Sequence, residues 1–234
     1  MLPAPDTIHQ CPHCNAKARK SNLLSGNTFG SQLWSDGYMH APMLPEMVRV
    51  TRCPGCRRIY WLADAQELGV VPGPVFEEQE VVVKRKWWFG TRKEKRSSYS
   101  PSPLADLPKL EHLDADGLVD ALAEITIGSS PGSEEYLRTK IWWAYNDSFR
   151  NEPSASTAPL QEDDHRMNLE ALLPLIDADD DQGRLKSAAV LLALGRFGDA
   201  RAVAEEVVDK RLAPFKAKFI EAAEGQHGRV FRLR

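Results

Sequence analysis

The chain holds four cysteines, arranged as two pairs of one pattern: Cys11-Pro12-His13-Cys14 and Cys53-Pro54-Gly55-Cys56. Two residues between thiols let a tight turn aim both sulfurs at one point. Two such turns supply the four thiolates of a tetrahedral site, with metal–sulfur bonds of about 2.3 Å in the case of zinc. Backbone amides in each turn can donate hydrogen bonds to the sulfurs and lower the cost of gathering negative charge. Four thiolates close the coordination sphere, so such an ion is structural and not catalytic. Folding then couples to metal binding, with an apparent affinity on the order of 10–16 kcal/mol for zinc. Iron takes the same ligand set, and a redox dithiol can also be built on one Cys-x-x-Cys pair. The 38 residues from Asn15 to Arg52 separate the pairs, long for a compact ribbon but short enough for an inserted hairpin or loop. His9, His13 and His40 are spare nitrogen donors, expected to face solvent or to stand behind the thiolates.

Composition limits the rest. The chain has 234 residues, 42% hydrophobic and 27% charged, which excludes a fibrous or wholly disordered protein and allows two small domains. The N-terminus Met1-Leu2-Pro3-Ala4-Pro5-Asp6 lacks the basic and apolar regions of a secretory leader. The longest apolar run, Ala188–Leu194, is too short to cross a bilayer, which takes about 20 residues. A cytoplasmic protein is the expectation. The formal net charge of −3 conceals an asymmetry: residues 1–100 hold 14 Lys/Arg against 9 Asp/Glu, whereas residues 101–234 are acidic.

The pattern divides the chain into a metal-binding module over 8–70, a linker over 71–103 and a helical domain over 104–234. The expected class is α+β: a small β-rich zinc ribbon followed by an all-α bundle. Short strands are expected at Leu33-Trp34, Met47–Val50 and Arg57–Leu62, with turns at Gly26–Gly30 and Ser35–Gly37. Ala63–Leu68 could form one or two helical turns before Gly69. In the linker, Val81-Val82-Val83 marks an extended segment, and Ser97–Pro103 is a Ser/Pro tract. Helices are expected after the cap Asp114 up to Gly128, from Ser133 along the stripe Leu137, Ile141, Tyr145 and Phe149, and again from Met167 until Pro174 intervenes. Three more follow over Arg184–Leu194, Phe197–Val208 and Pro214–Glu224, with Gly195 closing the first and Asp181 available as its cap.

The basic excess of the first half is concentrated in Lys84–Arg96, which holds seven Lys/Arg and one Glu. Lys84, Arg85, Lys86, Arg92, Lys93, Lys95 and Arg96 surround Trp87 and Trp88. That composition suits backbone tracking and base stacking on a nucleic acid, or contact with another acidic partner or a membrane surface. It equally suits a solvated hairpin whose tryptophans pack on the protein itself. Asp177–Gly183 resembles a calcium loop only superficially, since Gln182 and Ala188 stand where Gly and Glu are required. No nucleophile-elbow or metalloprotease pattern occurs, so the sequence names no catalytic residue.

Two resemblances extend this reading. The cysteine pairs, with Gly26-Asn27-Thr28-Phe29-Gly30, Leu33-Trp34-Ser35-Asp36-Gly37 and Ala41-Pro42-Met43-Leu44-Pro45-Glu46 between them, resemble a group of uncharacterised bacterial zinc-ribbon-like proteins. The resemblance covers residues 8–63 and implies metal binding with no activity attached. Gly195-Arg196-Phe197-Gly198-Asp199-Ala200 is similar to the inter-helix turn of a tetratricopeptide repeat, with Ala188, Ala204 and Val207 at packing positions. Arg184 departs from that pattern, and no second copy follows, so a tetratricopeptide-like hairpin within a small bundle is what it implies. The expected function is zinc-dependent, non-catalytic interaction with a partner, in the first place a protein. Nucleic-acid binding through the ribbon and Lys84–Arg96 is the alternative, and a redox or metalloenzyme the second.

Overall fold

The computed structural model describes residues 1–71, 75–84, 91–100, 103–124, 132–150 and 161–234, with 75–84, 91–100 and 103 described by backbone alone. In chain order the elements are β1 (Leu2–Gln10), β2 (Lys17–Ser25), β3 (Gln32–Leu33), β4 (Met39–His40), β5 (Val50–Arg52), β6 (Ile59–Trp61), β7 (Gln66–Val70), β8 (Val75–Lys84), β9 (Thr91–Ser100), α1 (Ala115–Glu124), α2 (Ser133–Arg150), α3 (Glu162–Leu172), α4 (Asp181–Ala193), α5 (Phe197–Glu205) and α6 (Ala213–Glu224). Strands thus come first and helices after, the α+β order expected. They fall into two compact units that do not follow sequence order. One comprises Met1–Ser25 with Met47–Glu111, the other Gly26–Glu46 with His112–Arg234.

In the first unit β1 is the centre of a three-stranded antiparallel sheet of order β2-β1-β7. The sequence gives little sign of β1, because Pro3 and Pro5 interrupt it. Proline cannot donate to a ladder, and it is tolerated where one side lacks a partner. Here β7 pairs only with Thr7–Gln10, beyond both prolines. The helical turns expected over Ala63–Leu68 are corrected: one 3₁₀ turn over Leu62–Asp64 is followed at once by β7. The free edge of β1 captures this segment as a strand. Gly69, at φ +134°, and a one-residue register shift at Ile8/His9 absorb the irregularity.

The hairpin β5–β6 pairs Val50 with Trp61 and Arg52 with Ile59. The segment expected as a linker with one extended stretch contains a ladder of ten residue pairs, β8 against β9, from Val75–Ser100 to Lys84–Thr91. After it the chain returns along β2. The Arg19 amide donates to the Pro108 carbonyl at 2.9 Å, the Leu110 amide to the Arg19 carbonyl at 2.8 Å, and the Thr51 hydroxyl to the Glu111 carbonyl at 2.9 Å. This return puts Leu110 into a small buried cluster with Cys11, Ala18, Cys53, Tyr60 and Leu62.

The core of the second unit joins Trp142, Leu169, Leu172, Val190 and Phe219 with the small residues Ala188, Ala200 and Ala204, whose size lets α4, α5 and α6 approach closely. Gly195, at φ +72°, ends α4 with paired reverse bonds: its amide donates to Leu192 and that of Arg196 to Leu191. Helix α3 stops at Leu172, two residues before Pro174, which is the middle residue of the 3₁₀ turn Leu173–Leu175. Two details depart from expectation. Asp180 caps α4 by accepting the Gly183 amide at 2.7 Å, whereas Asp181 accepts the amides of Val208 and Asp209 and pairs with Arg184. On α2, Phe149 is 41% exposed while Trp142 and Asn146 are buried, so the inward face is rotated from the expected stripe. The expected stop at Gly128 lies outside the described residues, and α3 begins at Glu162, five residues before the expected start at Met167.

The inter-knuckle stretch Gly26–Glu46 builds onto this unit. β3 and β4 pair Gln32 with His40 and Leu33 with Met39 around a turn at Asp36-Gly37. The chain's last residues run beside β3, with the Ser35 amide donating to Phe231 at 2.8 Å and the Leu233 amide to Leu33 at 2.8 Å.

Candidate metal centre

Each cysteine pair is held in a knuckle of the same hydrogen-bonded form. The Cys11 amide donates to the Ala16 carbonyl at 2.9 Å, and the Asn15 amide returns to Cys11 at 3.0 Å. In the second knuckle the Cys53 amide donates to Arg58 at 2.8 Å, and the Arg57 amide returns to Cys53 at 3.0 Å. The residue after each second cysteine is left-handed, Asn15 at φ 62° and Arg57 at φ 66°. Asparagine tolerates that conformation; arginine holds it at a cost of about 1 kcal/mol. Each turn also points amides at its first sulfur: His13 to Cys11 at 3.4 Å, Gly55 to Cys53 at 3.3 Å and Cys56 to Cys53 at 3.4 Å.

The two knuckles, one at the β1–β2 end and one in the β5–β6 turn, bring all four Sγ atoms within 4.8 Å of one another. Cys11 and Cys56 stand 3.9 Å apart, Cys14 and Cys53 3.6 Å. Bonds of about 2.3 Å to one tetrahedral ion require sulfurs separated by about 3.8 Å. The spacing therefore fits an ion at the centre. Among the described residues no other group of three or more cysteines, histidines or carboxylates converges in this way. Cys11 and Cys53 are buried, Cys56 half-buried and Cys14 exposed, so the site opens to solvent on the Cys14 side.

Burial pushes the Cys11 thiol up to about 12. Cys53 is also desolvated, but the amides of Cys56 and Gly55 outweigh this and lower its thiol to about 7. Tyr60, behind the sulfurs, is raised by burial first and by the four cysteines second. A thiolate set of this kind is stable only with a cation among its members. Gly55 permits the close approach of the knuckles: a Cβ there would meet the Ala16 methyl at 2.9 Å and Cys14 Sγ at 3.6 Å.

The histidines are not ligands in this arrangement. His13 sets its ring edge-on to Tyr60 at 6.4 Å, and His40 is exposed on β4. Of the two placements expected for the histidines, His9 does not take the solvent-facing one: it is buried, with Nε2 2.9 Å from the Thr7 hydroxyl and 3.8 Å from Glu67.

Of the basic-aromatic stretch, Lys84 closes β8, while Arg92, Lys93, Lys95 and Arg96 lie on β9 opposite Val83, Val82, Glu80 and Gln79. Arg85, Lys86, Trp87 and Trp88 lie outside the described residues. No described helix is long and apolar enough to cross a membrane.

Sequence reasoning missed a polar cluster in the second unit. Asp36 accepts from Asn146 at 2.7 Å, from the Tyr38 amide at 3.1 Å and from Arg150, while the Trp143 indole donates to its carbonyl at 2.9 Å. The only sequence signal was a turn at Ser35-Asp36-Gly37. Scans against protein-family models, curated proteins and solved structures find nothing that matches the chain.

Proposed function

We propose that the protein is a zinc-dependent, non-catalytic interaction protein, with zinc held by Cys11, Cys14, Cys53 and Cys56. The convergence of four sulfurs at tetrahedral spacing supports the reading. With every coordination position taken by thiolate, the ion has no place for a substrate or water, so its contribution is to stability. The first unit needs such a staple: its buried cluster around Cys11 and Cys53 is small. The helical unit, with the α4–α5 pair and its Gly195 turn, is the surface we assign to a protein partner. The burial of Ala188, Ala204 and Val207 is what supports the tetratricopeptide-like comparison.

The test is metal analysis of undenatured protein. About one zinc per chain is expected, and cobalt substitution should give the visible bands of a tetrahedral tetrathiolate. Iron in the same stoichiometry would reassign the ion. Absence of bound metal, or retention of it in Cys11→Ser and Cys53→Ser, would overturn the reading.

A second reading rests on the ladder of β8 and β9. A two-stranded ribbon is a shape the DNA major groove admits, and β9 carries Arg92, Lys93, Lys95 and Arg96. Under this reading, binding to nucleic acid falls steeply with salt and is lost when these four are changed to Gln. No binding even at low ionic strength removes it.

A further inference from the structure

The helical unit carries an open cavity of about 770 Å³, and none of the four cysteines lines it. Its size is that of ligand sites in general, roughly 300–1,000 Å³. Aromatic groups line part of it: Tyr145 lies flat on the His165 ring, centroids 3.5 Å apart and planes 8° from parallel, Phe149 stands 5.6 Å from Tyr145, and Trp142 and Phe197 also line the cavity. At neutral pH the His165 ring is uncharged, because burial lowers its pKa to about 4, and its Nδ1 has no hydrogen-bond partner among the described residues.

The charges around this cavity sort by their partners. Asp36 is neutralised by Arg150, and Asp163 pairs with Arg166 at 3.1 Å. Glu162 and Arg229 remain, both exposed at the rim and neither in an ion pair among the described residues. Arg229 stands over the Phe149 ring at 5.2 Å. Both charges reach Tyr145: burial raises its phenol most, Glu162 adds to the rise and Arg229 opposes it. The rim thus offers one unpaired anion and one unpaired cation, both within electrostatic reach of Tyr145.

We propose that this cavity binds a small zwitterion with a planar aromatic body, its ammonium toward Glu162 and its carboxylate toward Arg229. A simple acid would leave Glu162 repelled, and a simple amine would leave Arg229 so. A ligand carrying both charges satisfies each side while its ring stacks against the aromatic lining. This assignment is independent of the metal reading, since none of its residues belongs to the unit that holds the cysteines.

The experiment is isothermal titration calorimetry of the full, metal-loaded chain with three probes: L-tryptophan, tryptamine and indole-3-acetate. L-Tryptophan should bind saturably at one site, at least tenfold more tightly than either singly charged analogue, a factor of ten being about 1.4 kcal/mol. Arg229→Gln should bring L-tryptophan down to the level of tryptamine, and Glu162→Gln to that of indole-3-acetate. Unchanged circular dichroism and metal content show that the variants are folded. No saturable binding of L-tryptophan, or equal binding by both variants and the parent, would overturn the proposal.

Discussion

Arg150, at the end of α2, forms an ion pair with Asp36, 114 positions earlier in the chain, and both side chains are almost wholly buried, at 2% and 1% exposure. Asn146 and the Tyr38 amide complete the carboxylate's bonds, and the Arg150 guanidinium lies over the Tyr38 ring at 4.3 Å. Burial lowers the Arg150 pKa to about 9, which leaves it a cation at neutral pH. The pair fastens the inter-knuckle segment to the helix, and removing Asp36 leaves the buried Arg150 guanidinium with the half-exposed Asp147 as its remaining carboxylate. Asp36→Asn should therefore cost about 3–5 kcal/mol of stability in urea denaturation followed by circular dichroism. Combining it with Arg150→Met should cost less than the sum of the two single changes. Additive losses would show that the two groups are not coupled.

His165 sets a pH dependence for the same unit. Its folded pKa, about 4, lies below the unfolded value near 6.5. Between those values the unfolded chain takes up a proton that the folded chain refuses. Stability is thus intact above about pH 6.5 and falls as pH drops toward 4, by at most about 3 kcal/mol. Denaturation at pH 7 and pH 4.5 measures this. His165→Phe, which keeps a ring against Tyr145, should flatten the slope between them.

Two glycines in the helical unit should respond in opposite directions to alanine. A Cβ at Gly183, in the first turn of α4, would fall 1.6 Å from the Asp177 carbonyl oxygen, a clash with backbone that no side-chain movement relieves. Gly183→Ala should destabilise by about 1–3 kcal/mol. At Gly198, on α5, nothing stands within 4 Å of the added carbon. Gly198→Ala should stabilise by about 0.5 kcal/mol through lower unfolded-state entropy. Thermal melts of the two variants against the parent decide both.

Metal removal should be felt locally. With a chelator in excess, hydrogen exchange at the β5–β6 hairpin and at Cys11–Ala16 should accelerate by orders of magnitude, because the four sulfurs lose the cation that holds them together. The amides of α4 and α6, in the core around Val190 and Phe219, should keep their protection. Gly55→Val, which drives a branched side chain into Ala16 and Cys14, should lower metal affinity at least tenfold by competition with a fluorescent zinc indicator.

The sequence by itself determined the local features. The Cys-Pro-x-Cys spacing fixes knuckle geometry within six residues, so the approach of four sulfurs could be read from the pattern. Gly195 as a helix stop, Asp114 as a cap and Pro174 as the limit of α3 are likewise set by neighbours a few positions away. Tertiary structure decided whatever depends on a distant partner. Residues 66–70 became a strand because β1 presented an open edge, and β1 accepted two prolines because its second neighbour begins beyond them. Residues 26–46 joined the helices, though they lie between the two halves of the cysteine site, because Asp36 finds Arg150 and Ser35 finds Phe231. A carboxylate in a turn is ordinarily solvated. Only a cation brought from 114 residues away, with an amide and an aromatic face to complete its surroundings, makes its burial favourable, and no local pattern records that.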